Sequence, residues 1–126
     1  MPNKNTLKFN QQLQEAFALH SKGELQKARA LYERLLKTET KSFDLLHYLG
    51  SLHTQLKEPI KGIEYLKEAL EINPCHLESL SNLGSAYREV REYDLAAQYY
   101  QKAIDINPKF ANAIVNYANL LFEKES

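Results

Sequence analysis

The chain has 126 residues, one cysteine, no tryptophan and no net charge, with sixteen basic residues against sixteen acidic ones. A single thiol, Cys75, excludes an internal disulfide and a multi-cysteine zinc site, which fits a reducing compartment. Balanced charge leaves no strong overall field to draw the chain to nucleic acid or to a membrane surface. No apolar run approaches the roughly 18 residues a membrane span needs. The opening MPNKNTLKFNQQ has lysines followed by polar residues, without the apolar segment of a secretory signal. G-x-S-x-G, P-loop and G-x-G-x-x-G motifs are also missing, and with them the nucleophile and phosphate chemistry they mark. The expectation is a soluble, cytoplasmic protein with no catalytic residues, no metal and no cofactor.

What the chain does have is a period. The segment LESLSNLGSAYREVREYDLAAQYYQKAIDINP is preceded 34 residues earlier by FDLLHYLGSLHTQLKEPIKGIEYLKEALEINP. The two agree at Leu46/Leu80, Leu49/Leu83, Gly50/Gly84, Ala69/Ala103, Ile72/Ile106, Asn73/Asn107 and Pro74/Pro108. Apolar residues inside each copy fall at helical spacing in two blocks joined by a very short turn, which makes each copy an antiparallel helix pair.

In chain order, the spacing predicts helices over about Thr6–Lys22, Leu25–Thr38 and Phe43–Leu56, then from Pro59 to Ile72. Two more follow over Leu77–Val90 and Tyr93–Ile106, and a seventh over about Phe110–Lys124. Ser42 is placed to cap the third helix. Pro59 suits a first turn, where its missing N–H has no helical partner. Residues 1–5 are expected to be a disordered tail, and 6–126 a single all-α domain with repeats at about 9–42, 43–76 and 77–110 and a terminal helix at 111–124.

These residues resemble the tetratricopeptide repeat (TPR) family. The third copy follows the family pattern with Leu80, Leu83, Gly84, Tyr87, Ala96, Tyr100, Ala103 and Pro108. The second departs from it at His53, Gly62 and Leu66. The first keeps Ala16, Ala28 and Tyr32 but has Gln12, Glu15 and Thr40 where Leu, Leu and Pro would fall. The resemblance implies a right-handed superhelical solenoid of antiparallel helix pairs, about seven helices in all. Segment 14–36, QEAFALHSKGELQKARALYERLL, is also similar to N-terminal repeat arrays of bacterial proteins that carry a glycosyltransferase or sulfotransferase domain.

Packing accounts for these residue types. Gly50, Gly84, Ala16, Ala28, Ala69, Ala96, Ala103 and Ala118 permit close helix approach, and Tyr32, Leu66, Tyr87 and Tyr100 fill the adjacent space. His53 then reads as a packed core histidine. Lys57 and Arg91 stand where the first copy has Gly23; if those two adopt the left-handed conformation, each carries about 1 kcal/mol of strain.

Other side chains invite a chemical reading that their geometry weakens. His47 and His53, six residues apart on one helix, lie on different faces and cannot share a metal. Cys75-His76 lacks a second ligand pair. Asp44, His47 and Ser51 put an acid, a base and a hydroxyl on one face, without a pocket or oxyanion donors. The tyrosines fall mostly on core spacing and have no basic stripe beside them, so nucleic acid is not expected.

In this family the inner wall of the superhelix is the exposed face of each pair's first helix. Here that face is expected to carry Asp44, His47, Tyr48, Ser51 and Gln55, then Glu78, Ser81, Asn82, Ser85, Arg88 and Glu89, then Asn112, Asn116 and Asn119. It is rich in hydrogen-bonding groups and suits a protein partner or an extended peptide. The family's chaperone-tail clamp would fall on Leu13, Phe17, Tyr48, Glu78 and Asn82, or one repeat later on His47, Ser51, Asn82, Asn112 and Asn116. Neither set contains Lys or Arg, so that clamp is expected to be absent. An asparagine ladder of the kind in O-linked N-acetylglucosamine transferases would have two rungs, Asn82 and Asn116, with Tyr48 and Gln14 at the equivalent earlier places.

The implied function is protein–protein interaction without catalysis. The alternatives are a substrate-recruiting arm of a larger transferase and a self-associating scaffold. The scaffold reading draws on the last helix, where Ile114, Tyr117, Ala118, Leu121 and Phe122 run along one side with Val115 and Leu120 beyond. Charge adds to it: residues 1–42 hold eight basic and four acidic residues, and 43–126 eight and twelve, making the halves +4 and −4. Solvated helix faces are the favoured reading of that difference; the alternative is end-to-end attraction between copies, or one partner touching both halves.

Overall fold

The computed structural model describes residues 3–39 and 41–125. Among them the chain forms seven α-helices: α1 (Lys4–Ser21), α2 (Leu25–Leu36), α3 (Phe43–Gln55), α4 (Pro59–Ile72), α5 (Leu77–Glu89), α6 (Tyr93–Ile106) and α7 (Ala111–Lys124). The sequence placed the start of α1 too late. Asn3 caps it, its side-chain oxygen accepting the Thr6 N–H at 2.8 Å, so residues 3–5 are the cap and first turn of a helix. Met1 and Pro2, the rest of the expected tail, lie outside the described residues, as do Thr40 and Ser126. α2 also stops at Leu36, short of Thr38, whose hydroxyl donates back to the Leu35 carbonyl at 2.8 Å.

Each pair turns in the same way. Gly23, Lys57 and Arg91 have φ of 85°, 62° and 64°, and the residue after each donates its N–H five residues back: Glu24 to Leu19, Glu58 to His53, Glu92 to Tyr87. Ser42 caps α3 by accepting the Leu45 N–H, and Pro59 opens α4. At the start of α5 the cap is an imidazole: His76 Nδ1 accepts the Ser79 N–H at 3.2 Å.

The helices stack as antiparallel pairs in a right-handed superhelix, the architecture expected from the sequence. Each second helix packs on its own first helix and on the next one: α2 on α1 and α3, α4 on α3 and α5, α6 on α5 and α7. The backbones of first helices also approach one another, α1 to α3, α3 to α5 and α5 to α7, whereas among the described residues the backbones of second helices do not come as close. The first helices therefore line the tighter, concave side.

The core alternates small and large residues. A Cβ added at Gly84 would lie 2.7 Å from the Tyr100 ring, and one at Gly50 would strike the Leu66 side chain. Tyr32, Tyr100, Leu45, Leu49, Leu66, Leu83 and Leu120 are fully buried around these contacts, with Tyr87 at their edge. His53 is buried as expected, stacked on Tyr65 and bonded through Nδ1 to Glu58 at 2.8 Å. Two expectations for the last helix differ. Ala118 is exposed, because among the described residues α7 has no second helix of its own to pack on that side. Leu120 belongs to the core: one repeat after Ala86 and two after Leu52, it sits beneath the preceding second helix.

Candidate peptide-binding groove

A residue on a first helix is carried into the next repeat by a step of 34, so the wall can be followed by register. Asp44, Glu78 and Asn112 share one register and are all exposed. Tyr48, Asn82 and Asn116 share a second and are half-buried, and in a third Ser51 and Ser85 are half-buried while Asn119 is exposed. Gln55 and Glu89 are exposed and Arg88 is half-buried. The structure thus brings most of the expected residues onto one concave surface.

Two do not belong to its exposed part. His47 and Ser81 are only 8% and 1% exposed. They share a register with Leu13, also buried, and with Val115, which is 55% exposed on the last described helix. That register faces the following first helix. The side chain is covered wherever such a helix is present, so it closes the seam between repeats. His47 Nδ1 meets the Ser79 hydroxyl at 2.8 Å, and the Ser81 hydroxyl donates to Asn112 Oδ1.

Other wall residues are committed across the same seams. Between α1 and α3, Gln55 Oε1 accepts from His20 Nε2, and the other His20 nitrogen is hydrogen-bonded with the Tyr32 hydroxyl, 3.0 Å away. Between α5 and α7, Arg88 pairs with Glu123, and Asn116 donates to Asn112 at 2.8 Å and to Ser81 at 3.4 Å. The Ser85 hydroxyl is bonded to Tyr100 at 2.8 Å, and Lys57 stands 3.7 Å from Glu89. Among the described residues Asn82 makes no side-chain hydrogen bond within the chain. Of the two asparagines in the ladder register, one amide is available and the other is already bonded.

Asn82 lies at the edge of a cavity of about 300 Å³ between α1, α3 and α5. The cavity holds four residues that sequence reasoning did not assign to the wall: Phe17, His20, Phe43 and His76. Phe17 stacks on Tyr48 with ring centroids 4.6 Å apart, and Tyr48 stacks in turn on Tyr32. Phe43 and His47 each meet the His76 ring edge-on at 4.8 Å. The period could have found Phe17, one step before Ser51. Phe43 and His76 stand at helix starts and enter the cavity only because consecutive pairs pack there. A larger cavity, about 660 Å³, lies apart from the wall, between the start of α1 and the end of α2.

Electrostatics at this cavity are one-sided. Asp44 and Glu78 border the cavity and no lysine or arginine does. Burial, then the two carboxylates, push the Tyr48 hydroxyl pKa upward. Burial, reinforced by His76 and opposed by Glu78 and Asp44, pushes His47 down to about 4, so its ring is neutral at pH 7. Asp44, His47 and Ser51 do not form a relay, because His47 engages Ser79 and approaches Glu78 at 3.8 Å. Among the described residues no group of three or more His, Cys, Asp or Glu is arranged to hold a metal ion, and no helix is long and apolar enough to cross a membrane.

Fold and wall together define a helical-repeat solenoid with a hydrogen-bonding concave face. Tetratricopeptide repeat family models match residues 43–75 and 77–110. The chain belongs to the tetratricopeptide repeat family. A search of curated proteins finds no match. Among solved structures, the first TPR of Spaghetti (RPAP3) bound to an HSP90 peptide, SRMEEVD, is 15% identical, covers 95% of each chain and has a TM-score of 0.87. A Thermobaculum terrenum O-GlcNAc transferase mutant is 18% identical over 96% of this chain and 23% of that one, with a TM-score of 0.89. A tetratricopeptide repeat protein from Parabacteroides merdae is 29% identical over 93% and 46%, with a TM-score of 0.81.

Proposed function

We propose that this chain is a protein-interaction module that binds an extended peptide segment of its partner along the concave wall, with no catalysis of its own. The observation that carries the reading is Asn82. Its amide stands at the cavity edge without an internal partner, while the polar groups around it are held by neighbouring repeats. An extended peptide offers unpaired backbone donors and acceptors, and a side-chain amide can answer one of each. The exposed Asp44, Glu78 and Glu89 carboxylates and the Ser51 hydroxyl extend the polar surface on either side. The cytoplasm is the location proposed, consistent with the exposed free thiol of Cys75.

The test is selection of peptides on the immobilised full chain, followed by fluorescence anisotropy of a selected peptide. The expected result is measurable affinity that falls in Asn82→Ala. Selected peptides that bind Asn82→Ala and a Glu78→Gln/Glu89→Gln variant as well as the parent would reject the groove.

Self-association is a second reading, favoured by the exposure of Ile114, Val115 and Leu121 along α7. Light scattering across a concentration series decides it: a constant monomer mass rules it out. The third reading, a recruiting arm of a larger transferase, draws on fold likeness to the O-GlcNAc transferase, of which the match spans 23%. The length of the native gene product separates it from the others.

A further inference from the structure

Resting on the groove reading, we infer that the cavity bounded by Phe17, Phe43 and Tyr48 receives one cationic side chain, lysine or arginine, of the bound peptide, with Asp44 and Glu78 as its counter-charges. Three aromatic rings and two carboxylates meet in about 300 Å³ of concave space. Ring faces attract cations through their quadrupoles, and arginine stacks on them as well. Phe17 is 43% exposed although it stacks on Tyr48, so an incoming side chain can reach it.

Among the described residues no lysine or arginine lines the cavity, and His47 is bonded to Ser79 and kept neutral by burial. His76 Nδ1 is engaged by the Ser79 N–H at the start of α5. The groove's arginine, Arg88, is paired with Glu123 and lies at the far end of α5.

The same features argue against other occupants. An acidic side chain or a C-terminal carboxylate would meet Asp44 and Glu78 at close range with no cation to offset them. A purely apolar side chain would fit the rings but remove water from the carboxylates without returning a partner. A lysine or arginine does both jobs: its methylene stem lies along the rings and its head stays at the rim with the carboxylates.

The experiment measures retention of four octapeptide mixtures on the immobilised full chain. Each mixture is random except at one central position, fixed as Lys, Arg, norleucine or Glu. The expected result is at least tenfold greater retention of the Lys and Arg mixtures than of the other two, weakening as salt is raised. That excess should disappear in Asp44→Asn/Glu78→Gln and fall about two- to fivefold in Phe17→Leu. Circular dichroism checks that both variants stay helical. Equal retention of norleucine and lysine, or an excess that survives the charge-neutral double variant, overturns the cation pocket while leaving the groove standing. Failure of all four mixtures to bind overturns both. Binding by free Nα-acetyl-lysine amide as strong as that of the lysine octapeptides would make this a small-amine site and overturn the peptide version.

Discussion

His47 and Ser81 stand one repeat apart in the same register, and each closes a seam between consecutive first helices, His47 on Ser79 of α5 and Ser81 on Asn112 of α7. The wall is therefore cross-braced by its own polar groups, and the proposed peptide would meet those left over.

Seam and surface can be told apart by stability. Ser81→Ala removes a buried hydroxyl that serves Asn112 and Asn116, and is expected to cost about 1 kcal/mol. Val115→Ser changes the equivalent register where it is exposed and should stay within about 0.5 kcal/mol of the parent. Urea denaturation monitored by circular dichroism measures both, and equal effects would refute the seam assignment.

Core packing gives a second expectation. Gly84→Ala places a methyl group 2.7 Å from the Tyr100 ring, which is walled in on every side. The strain should destabilise the chain by about 1–3 kcal/mol, and Tyr100→Leu in the same chain should recover part of it. The recovery is the decisive reading, since either single change alone would destabilise for its own reasons.

The turn between α5 and α6 carries strain of a different origin. Arg91 is exposed at φ 64°, a conformation that costs a residue with a Cβ about 1–2 kcal/mol. Arg91→Gly removes that cost but adds freedom to the unfolded chain, leaving a net gain of about 0.5–1 kcal/mol. Arg91→Val should lower stability, because a branched side chain tolerates positive φ less well. The order Gly, Arg, Val in thermal midpoint checks the argument.

Acid should loosen the α3–α5 seam. Burial holds His47 at about 4, below its ordinary 6.5, so the unfolded chain binds a proton that the folded chain refuses between those values. The stability conferred by the neutral ring is complete above about pH 6.5 and is lost as pH falls toward 4, by about 3 kcal/mol in total. Denaturation at half-unit intervals from pH 7.5 to 4.5 should show this fall, with a shallower slope in His47→Gln. The same slope in both proteins would assign the effect to other groups.

The ladder register separates two asparagines that look alike in sequence. Asn82→Ala should weaken peptide binding by about 0.5–1.5 kcal/mol. Asn116→Ala should affect binding less and folding more, because its amide already bonds Asn112 and Ser81. Anisotropy titration alongside urea denaturation reads both effects. Equal loss of affinity in the two variants would restore a two-rung ladder.

Much of this molecule was legible before its structure. The 34-residue period, the α6 boundaries, the left-handed Lys57 and Arg91, and the pairing of Gly84 with a large neighbour all follow from local sterics and repetition. The first turn of α1 was missed because Asn3, a good cap, was hidden in a polar stretch that reads as a tail. Phe17 was left out of the expected wall, yet its side of α1 opens onto the cavity.

The sequence by itself determined which residues are equivalent, since a repeat of fixed length returns each side chain to the same face of the next helix. Only the tertiary structure decided which equivalents are free. How closely consecutive first helices approach depends on every small and large residue packed behind them, and that approach buries His47 and Ser81, ties Asn116 to Asn112, and leaves Asn82 facing a cavity of three rings and two carboxylates.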